Sequence, residues 1–248
     1  MRKPVTFFVL GVQKGGTTTL QSMLNKHPQV YLHPSKEIHY FSLHYHQGSE
    51  WYESHFLDAG DDQFCGDITP YYFFHPWCAQ RIHAYQPDAR LIVLLRDPVQ
   101  RTLSGYFHSY RLGLESLALP AALAAESSRL SGSVGALCAP DGCHQSHQVH
   151  SYLSRSLYVQ QLKAYERYFS ASQLLILRSE DLFEQPSKVW RALQLFLDVE
   201  LIPIPAEIQI RNAGRGEAAF VTEDVLSRLR CSLEPTYRAL EMRYGIRW

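Results

Sequence analysis

Short runs of apolar residues alternate along the chain with segments of helical periodicity. Residues 5–10, 91–95 and 174–177 are rich in aliphatic, β-branched and aromatic side chains, a composition typical of buried strands. A polar turn and then a helical pattern follow each run. Strands that alternate with helices predict an α/β fold with a central parallel β-sheet flanked by helices on both faces.

The predicted helices share apolar residues at intervals of three and four positions, so that one face of each helix is apolar. They cover residues 17–26, 76–85, 99–111, 151–169, 187–197 and 223–244. Residues 131–147 are rich in Ser, Gly, Pro, Cys and His and have no clear period, so we predict a loop there. A loop of this kind beside a site often selects the substrate.

The composition describes a single globular domain, and we assign residues 1–248 to it. Hydrophobic residues make up 46% and charged residues 19% of the chain, which is ample for a buried core and too apolar for disorder. The 24 basic and 24 acidic side chains balance, so the net charge gives no general attraction to nucleic acid or to an anionic membrane. We therefore expect neither nucleic acid nor a membrane as a partner.

Cysteine use and the lengths of the apolar runs bear on the cellular compartment. The five Cys residues form an odd, scattered set, which is typical of reduced thiols, although a Cys138–Cys143 bridge stays open as an alternative. The apolar start at residues 5–10 is too short for a membrane span or a signal peptide, and no other stretch approaches the required length. We expect a cytoplasmic protein.

A glycine-rich loop joins the first predicted strand to the first predicted helix. Its sequence, GVQKGGTTT, runs from residue 11 to residue 19. Gly15 and Gly16 let the backbone approach a phosphate group, and the N–H groups at the helix start point toward it. Lys14 adds a mobile positive charge, and Thr17 and Thr18 add hydroxyl donors. An ordinary tight turn is the alternative, but the Lys and the Thr run favour a phosphate site.

This loop differs from the Walker A motif of ATP- and GTP-binding proteins. Thr17 stands where GxxxxGK[ST] requires Lys, because the Lys of this chain lies inside the loop. Arg96 ends the second strand, where Walker-type kinases usually have a magnesium-binding acid. Asp97 follows, but Pro98 after it indicates a helix start that Asp97 caps. These differences disfavour a P-loop small-molecule kinase, which stays as the first alternative.

Arg96 and Ser104 form a second candidate phosphate site. An Arg at the carboxyl end of a strand and a Ser two turns into the next helix can converge on one phosphate beside the first loop. The ligand would then be a nucleotide with phosphates at two separated places. Taken alone, Arg96 is more often a partner in a surface ion pair.

Together, the two segments resemble the 5′-phosphosulfate loop and the 3′-phosphate motif of sulfotransferases that use 3′-phosphoadenosine 5′-phosphosulfate (PAPS). More narrowly, the chain is similar to the heparan sulfate N- and 3-O-sulfotransferase branch, as a soluble bacterial-type member. The further segments that follow the order of that branch are KEIHYF at 36–41, WY at 51–52, DITPYYF at 67–73, RSLY at 155–158 and GR at 214–215. The resemblance spans nearly the whole chain and implies the P-loop-like sulfotransferase fold.

The resemblance implies transfer of a sulfuryl group from PAPS to a hydroxyl or an amine. Glu37 would be the general base that takes the acceptor's proton. Lys14 would neutralise charge on the oxygen that leaves with the product 3′-phosphoadenosine 5′-phosphate (PAP). His39 would orient Glu37 or contact the acceptor, and the scheme requires no metal. Without the resemblance, Glu37 is more simply a solvated charge after Lys36.

The resemblance also assigns side chains to the two ligands. Besides the loop, Arg96 and Ser104, the residues expected to hold the nucleotide are Arg155, Tyr158, Gly214 and Arg215. The residues expected to contact the acceptor are His39, Asp67, Tyr71 and Tyr72. Aromatic runs such as Tyr71 and Tyr72 also commonly pack under a neighbouring helix.

The acceptor is expected to be a small molecule, a natural product or a carbohydrate. The heparan sulfate branch commonly has Glu-Lys-Thr-Pro where this chain has Asp67-Ile68-Thr69-Pro70, which removes a positive charge from the expected acceptor cleft. A highly anionic polysaccharide is therefore less favoured, and Asp67 is expected to meet a cationic acceptor.

Two further interpretations stay open. The chain could be a non-catalytic PAP-binding protein that kept the nucleotide loop, although Glu37 in its matching position argues against that. Residues 138–150 contain two Cys and three His and could form a zinc site, but their spacing matches no regular zinc template. A loop that lines the acceptor cleft is favoured over a metal site.

Overall fold

The computed structural model of the chain describes residues 3–204 and 221–248. The strands within these residues are β1 (Val5–Gly11), β2 (Val30–Leu32), β3 (Phe64–Ile68), β4 (Arg90–Leu95) and β5 (Leu174–Arg178). They form one five-stranded sheet in the order β2-β3-β1-β4-β5, and all neighbouring strands are parallel. Gly214 and Arg215, two of the predicted nucleotide contacts, lie outside the described residues.

Helices surround this sheet. Those described are α1 (Thr17–Leu24), α2 (Tyr40–Leu43), α3 (Gly48–Glu53), α4 (Cys78–Tyr85), α5 (Pro98–Arg111), α6 (Leu119–Arg129), α7 (Ser133–Ala136), α8 (Gln145–Val149), α9 (Tyr158–Glu166), α10 (Ser179–Glu184), α11 (Pro186–Leu197) and α12 (Glu223–Tyr244). Short 3-10 turns occupy Tyr45–Gln47, Ser54–Phe56, Ser154–Ser156 and Ala171–Gln173. No helix among the described residues is both long and apolar enough to cross a bilayer.

Alternate residues of the strands bury against different helices. Phe8 and Leu10 of β1 face a core formed with α4 and α9, whereas Phe7 and Val9 face a core formed with α1 and α11. This follows from the two-residue period of a strand, which points successive side chains to opposite faces. The predicted sheet with helices on both faces is therefore confirmed.

The three predicted strands are confirmed as β1, β4 and β5, while β2 and β3 were not predicted. β2 has only three residues, and β3 contains Gly66 and Asp67, which interrupt its apolar run. Gly66 is required by packing, because a Cβ atom there would lie 2.0 Å from the ring of Phe7. A β3 side chain at this position would push β1 away.

Two predicted segments differ in the structure. The helix predicted over 151–169 begins only at Tyr158, because the Glu126 carboxylate accepts hydrogen bonds of 2.8 Å from the backbone N–H groups of Leu153 and Ser154. The loop predicted over 131–147 instead contains α7 and the start of α8. These helices have four and five residues, too few to show a period in the sequence.

The start of α5 is held by the C-terminal part of the chain. Asp97 caps α5 by accepting a hydrogen bond of 2.8 Å from the backbone N–H of Gln100, and Tyr237 of α12 donates to Asp97 Oδ2 at 2.7 Å. The Glu180 carboxylate accepts from the backbone N–H of Asp97 at 3.0 Å and from Trp248 Nε1 at 2.7 Å. Glu180 of α10, Tyr237 of α12 and Trp248 thus together fix the point where β4 passes into α5.

Candidate active site

The glycine loop follows β1 and packs against the end of β4. Val12 donates its backbone N–H to the carbonyl oxygen of Leu94 at 3.0 Å, and Gly15 closes a turn by donating to the Val12 carbonyl oxygen at 2.9 Å. A Cβ atom on Gly15 would lie 2.6 Å from the carbonyl oxygen of Leu94, so this position requires glycine. The loop is thereby pressed onto the carboxyl edge of the sheet.

The loop leads directly into α1 through left-handed backbone. Lys14 and Gly16 have φ values of 72° and 91°, a region that favours glycine and costs a lysine free energy. Thr17 is the first residue of α1, and no side chain caps the helix at Gly16. The N–H groups and the positive end of α1 suit an anion, as the sequence predicts.

Arg96 connects the loop to the second motif. Its Nη1 atom donates to the backbone carbonyl oxygen of Lys14 at 3.2 Å. Tyr158, which is fully buried, donates to the carbonyl oxygen of Arg96 at 2.9 Å. Ser104 lies in the second turn of α5 and is 3% exposed. The structure therefore brings the loop and Arg96 together, with Ser104 on the helix that leaves the same strand.

The sequence predicts that Arg155 and Tyr158 contact the nucleotide, but in the structure both side chains form hydrogen bonds with other protein groups. Arg155 is buried and donates to Gln13 Oε1 at 3.0 Å, to Ser151 Oγ at 2.7 Å and to the carbonyl oxygen of Gln148 at 2.7 Å. Burial lowers the pKa of Arg155 to about 10. Burial also raises the pKa of Tyr158. These contacts indicate that both side chains support the loop and Arg96 from behind.

Glu37 and His39 lie side by side in strained backbone. Their φ values are 65° and 58°, and left-handed backbone at non-glycine residues is concentrated at functional sites. His39 Nε2 lies 3.5 Å from Glu37 Oε2, and His39 Nδ1 lies 3.1 Å from the hydroxyl of Ser42. The Glu37 side chain is 41% exposed, so its carboxylate is open to a substrate.

The surroundings of Glu37 favour its ionised form. Burial raises the pKa of Glu37, but the hydrogen bond from His39 and the charges of Lys36, His39 and Arg155 outweigh burial, so the pKa lies below its ordinary value. Glu37 is therefore a carboxylate at neutral pH and can accept a proton. This is the protonation state that a general base needs.

Lys36 is a member of the site that the sequence analysis did not assign. Its Nζ atom donates hydrogen bonds of 3.0 Å to the hydroxyls of both Thr17 and Thr18, and it lies 4.0 Å from Glu37 Oε1. The sequence signal that could have identified Lys36 is its position directly before Glu37 in the KEIHYF segment. The ammonium group of Lys36 thus lies between the end of the glycine loop and the candidate base.

His108 is a second residue that the sequence analysis did not assign. It lies one turn beyond Ser104 on α5, and such a spacing of four places two side chains on the same helical face. Burial lowers its pKa, as do Lys14 and Arg111, whereas Glu37 raises it. His108 thus lies within electrostatic range of both the loop and the candidate base.

Asp67 does not fit the contact predicted for it with a cationic acceptor. Its side chain is 2% exposed and accepts hydrogen bonds from Tyr52 at 2.9 Å, Tyr72 at 2.8 Å and Thr69 at 2.7 Å. Burial raises the pKa of Asp67, although these hydroxyls and His39 lower it. Tyr72 is likewise completely buried. Both residues belong to the polar core beneath the site, because their functional groups are already satisfied there.

Tyr71 lies nearer to the candidate base. Its ring centroid is 6.0 Å from that of His39, and its hydroxyl lies 2.8 Å from Nδ1 of His147 in α8. The ring of His147 also stacks on Phe74 at 4.2 Å. Helix α8 therefore packs on Tyr71, whose ring lies next to His39.

The cysteines between α7 and α8 are not joined. Cys138 and Cys143 are both exposed and free. Within residues 3–204 and 221–248, no group of three or more His, Cys, Asp or Glu side chains is placed to hold a metal ion. The alternative of a zinc site at residues 138–150 therefore has no geometric support in the part of the chain that the structure describes.

A five-stranded parallel sheet with a glycine-rich loop between its central strand and the following helix defines the class of P-loop-like α/β proteins. Within that class, the chain belongs to the sulfotransferase family, because the sequence profile of the sulfotransferase domain matches residues 4–213. This match confirms the resemblance inferred from the motifs.

Curated proteins with similar sequences are also sulfotransferases. Human heparan sulfate glucosamine 3-O-sulfotransferase 6 is 31% identical over 223 residues, which cover 90% of this chain and 60% of that protein. The chain spans 58% and 60% of the length of two curated relatives that it matches.

Two solved structures share the fold. A sulfotransferase from Alicyclobacillus acidocaldarius superposes with a TM-score of 0.78 and 26% identity, covering 98% of this chain and 96% of that one. Mouse sulfotransferase SULT7A1 complexed with PAP gives a TM-score of 0.55 at 14% identity and covers 94% of this chain and 84% of that one. At that identity, the mouse protein supports the fold alone.

Proposed function

We propose that this chain transfers a sulfuryl group from PAPS to a hydroxyl or amine of a small-molecule, natural-product or carbohydrate acceptor. The observation that carries the proposal is the placement of an ionised carboxylate, Glu37, next to the glycine loop at the start of α1. Lys36 links the two, with its ammonium between the loop hydroxyls and the carboxylate. A base beside a phosphate loop suits deprotonation of a nucleophile that attacks a group held by the loop.

The loop residues fit the phosphosulfate end of the donor. Glycine at position 15 keeps the loop backbone against the carbonyl oxygen of Leu94, and backbone N–H groups of a glycine-rich loop can bind an anion. The uncapped start of α1 offers N–H donors, and Lys14 and Lys36 add positive charge. Mouse sulfotransferase SULT7A1 was solved in complex with PAP, so a protein of this fold can hold that nucleotide.

The second phosphate distinguishes PAPS from other nucleotides. Arg96, at the carboxyl end of β4, and Ser104, in α5, are proposed to bind the 3′-phosphate, together with Gly214 and Arg215. The hydrogen bond from Arg96 to the Lys14 carbonyl supports this role, because it keeps the guanidinium beside the loop. A guanidinium donor and a hydroxyl are a common pair for phosphate recognition.

The proposed reaction is an in-line displacement at sulfur. The acceptor oxygen or nitrogen forms a bond to sulfur while the bond from sulfur to the bridging oxygen of the donor breaks. The electron pair of that bond leaves with PAP, and the acceptor's proton passes to Glu37. Lys14 stabilises the negative charge that develops on the leaving oxygen, and His39 keeps the carboxylate in place.

Calorimetric titration with PAP and with ADP tests the donor. We expect PAP to bind tightly and ADP far more weakly, and we expect Arg96→Ala to weaken PAP binding about 100-fold, since a charge-assisted hydrogen bond contributes up to about 3 kcal/mol. Arg228→Ala on the exposed face of α12 is the matched control and should bind PAP normally. ADP binding equal to or tighter than PAP binding would refute the donor assignment and favour a kinase.

A further inference from the structure

Lys36 has a place in the site that the proposed reaction does not yet explain. Its side chain is only 19% exposed, and its ammonium sits over the junction between the glycine loop and α1. Burial lowers the pKa of Lys36 and the charge of Lys14 lowers it further, while Glu37 raises it. Two lysine charges thus act on one another beside the loop, and an anion bound there would relieve their repulsion.

The hydrogen bonds of Lys36 prepare the loop for such an anion. A threonine hydroxyl that accepts a hydrogen bond from Lys36 still has its own O–H to donate. Thr17 and Thr18 can therefore both direct their hydrogens toward a ligand oxygen. An ammonium has three N–H donors, and the two hydroxyls use two of them.

The third donor of Lys36 has no partner at hydrogen-bond distance among the described residues. The Glu37 carboxylate lies 4.0 Å away, which is too far for a hydrogen bond. It is close enough for the two charges to attract each other. The third N–H is therefore available to an oxygen that lies between the loop and the base.

The distance between the Lys36 ammonium and the Glu37 carboxylate indicates which part of the donor Lys36 can contact. A general base must lie within about 3 Å of the acceptor atom whose proton it takes. That atom is the one that bonds to sulfur, so the oxygens of the sulfuryl group are the donor atoms closest to the base. A cation 4.0 Å from the base is thus within reach of the sulfuryl oxygens, whereas Lys14 is proposed to act on the leaving oxygen.

We propose that Lys36 is a catalytic residue that contacts the sulfuryl oxygens while the group moves from the donor to the acceptor. This inference rests on the proposed sulfuryl transfer. The group carries negative charge on its oxygens throughout the displacement, and a fixed ammonium in a partly buried site stabilises that charge. Lys36 also favours the ionised form of Glu37 before the proton is transferred.

The test compares ligands that differ only in the sulfuryl group. PAPS and PAP are titrated separately by calorimetry without acceptor, and kcat is then measured with acceptor. Lys36→Met should weaken PAPS binding about tenfold and lower kcat about 100-fold, while PAP binding stays within about twofold of wild type. Lys163→Met, at an exposed position of α9, is the matched control and should leave all three quantities unchanged.

Two other results would contradict the proposal. Equal losses of PAP and PAPS binding would put Lys36 on the 5′-phosphate, and an unchanged kcat would leave it only a partner of the two threonines. Lys36→Gln keeps a donor for those hydroxyls and carries the same test if the Met variant does not fold. Wild-type protein that neither binds PAP nor turns over PAPS would refute the proposed function itself, before any variant is compared.

Discussion

The guanidinium of Arg96 donates a hydrogen bond of 3.2 Å to the backbone carbonyl oxygen of Lys14, across 82 positions of sequence. The bond joins the ends of two adjacent parallel strands, β1 and β4. It makes the glycine loop and the start of α5 parts of one surface. A ligand with two separated phosphate groups can therefore be recognised at a single edge of the sheet.

Replacement of Glu37 tests the proposed base. Glu37→Gln keeps the size of the side chain but cannot accept the proton, so we expect kcat to fall by about 100- to 10,000-fold. PAP binding should stay close to the wild-type value, because Glu37 is proposed to act on the acceptor. Steady-state kinetics and calorimetry measure the two quantities. Glu184→Gln, at an exposed end of α10, is the control, and a fully active Glu37→Gln would rule out this base.

The pH dependence of kcat/KM depends on His39. The hydrogen bond and charge of His39 help to hold the pKa of Glu37 below its ordinary value, so the wild-type rate should fall only at strongly acidic pH, when the carboxylate is protonated. Removal of His39 leaves burial less opposed and raises this pKa. We therefore expect His39→Ala to move the acidic limb of the kcat/KM profile to higher pH, whereas the exposed His46→Ala should not. An unmoved limb would contradict the pairing.

Glycine at position 15 is expected to be essential for nucleotide binding. In Gly15→Ala, the new Cβ atom would meet the carbonyl oxygen of Leu94 at 2.6 Å, so the loop must move off β4. We expect PAP affinity to fall about tenfold or more, since such overpacking costs about 1–3 kcal/mol. Gly135→Ala in α7 meets nothing within 4 Å and serves as the control. Equal PAP affinity in both variants would show that the loop does not bind the nucleotide.

Asp67 is expected to affect stability and not acceptor choice. Asp67→Asn replaces one acceptor oxygen with a donor amide, so one of the buried hydroxyls of Tyr52, Tyr72 or Thr69 loses its partner. The free energy of unfolding should fall by about 1–3 kcal/mol in urea titrations. The ratio of turnover with amine and alcohol acceptors should not change. Asp62→Asn, at an exposed position, controls for loss of charge, and a shifted acceptor ratio would return Asp67 to the acceptor site.

Strong apolar runs made much of the fold predictable. β1, β4 and β5 are continuous hydrophobic segments, and the helices α5 and α11 lie within one residue of their predicted bounds. β3 was missed because Gly66 and Asp67 carry no strand signal of their own. The ring of Phe7 requires glycine at position 66, and three hydroxyls surround the carboxylate of Asp67. These are side-chain contacts of the folded protein, which the hydrophobic pattern of β3 does not reveal.

The sequence predicted those parts of the candidate site whose residues lie together in one short motif. The loop from Lys14 to Thr18 and the position of Arg96 follow from strand ends, which meet at one edge of a parallel sheet. Lys36 was not assigned because its role depends on hydrogen bonds to Thr17 and Thr18, which no local pattern reveals. The roles of Gly214 and Arg215 stay predictions, since both lie outside the described residues.

The contacts of Trp248 have a practical consequence for producing the protein. Its indole reaches Glu180, and the other oxygen of that carboxylate accepts from the backbone of Asp97, next to Arg96. A substitution or an attached label that displaces Trp248 would therefore disturb Glu180 and the backbone beside the proposed 3′-phosphate site. Labels placed on exposed side chains far from this contact, such as Arg228 of α12, avoid this effect.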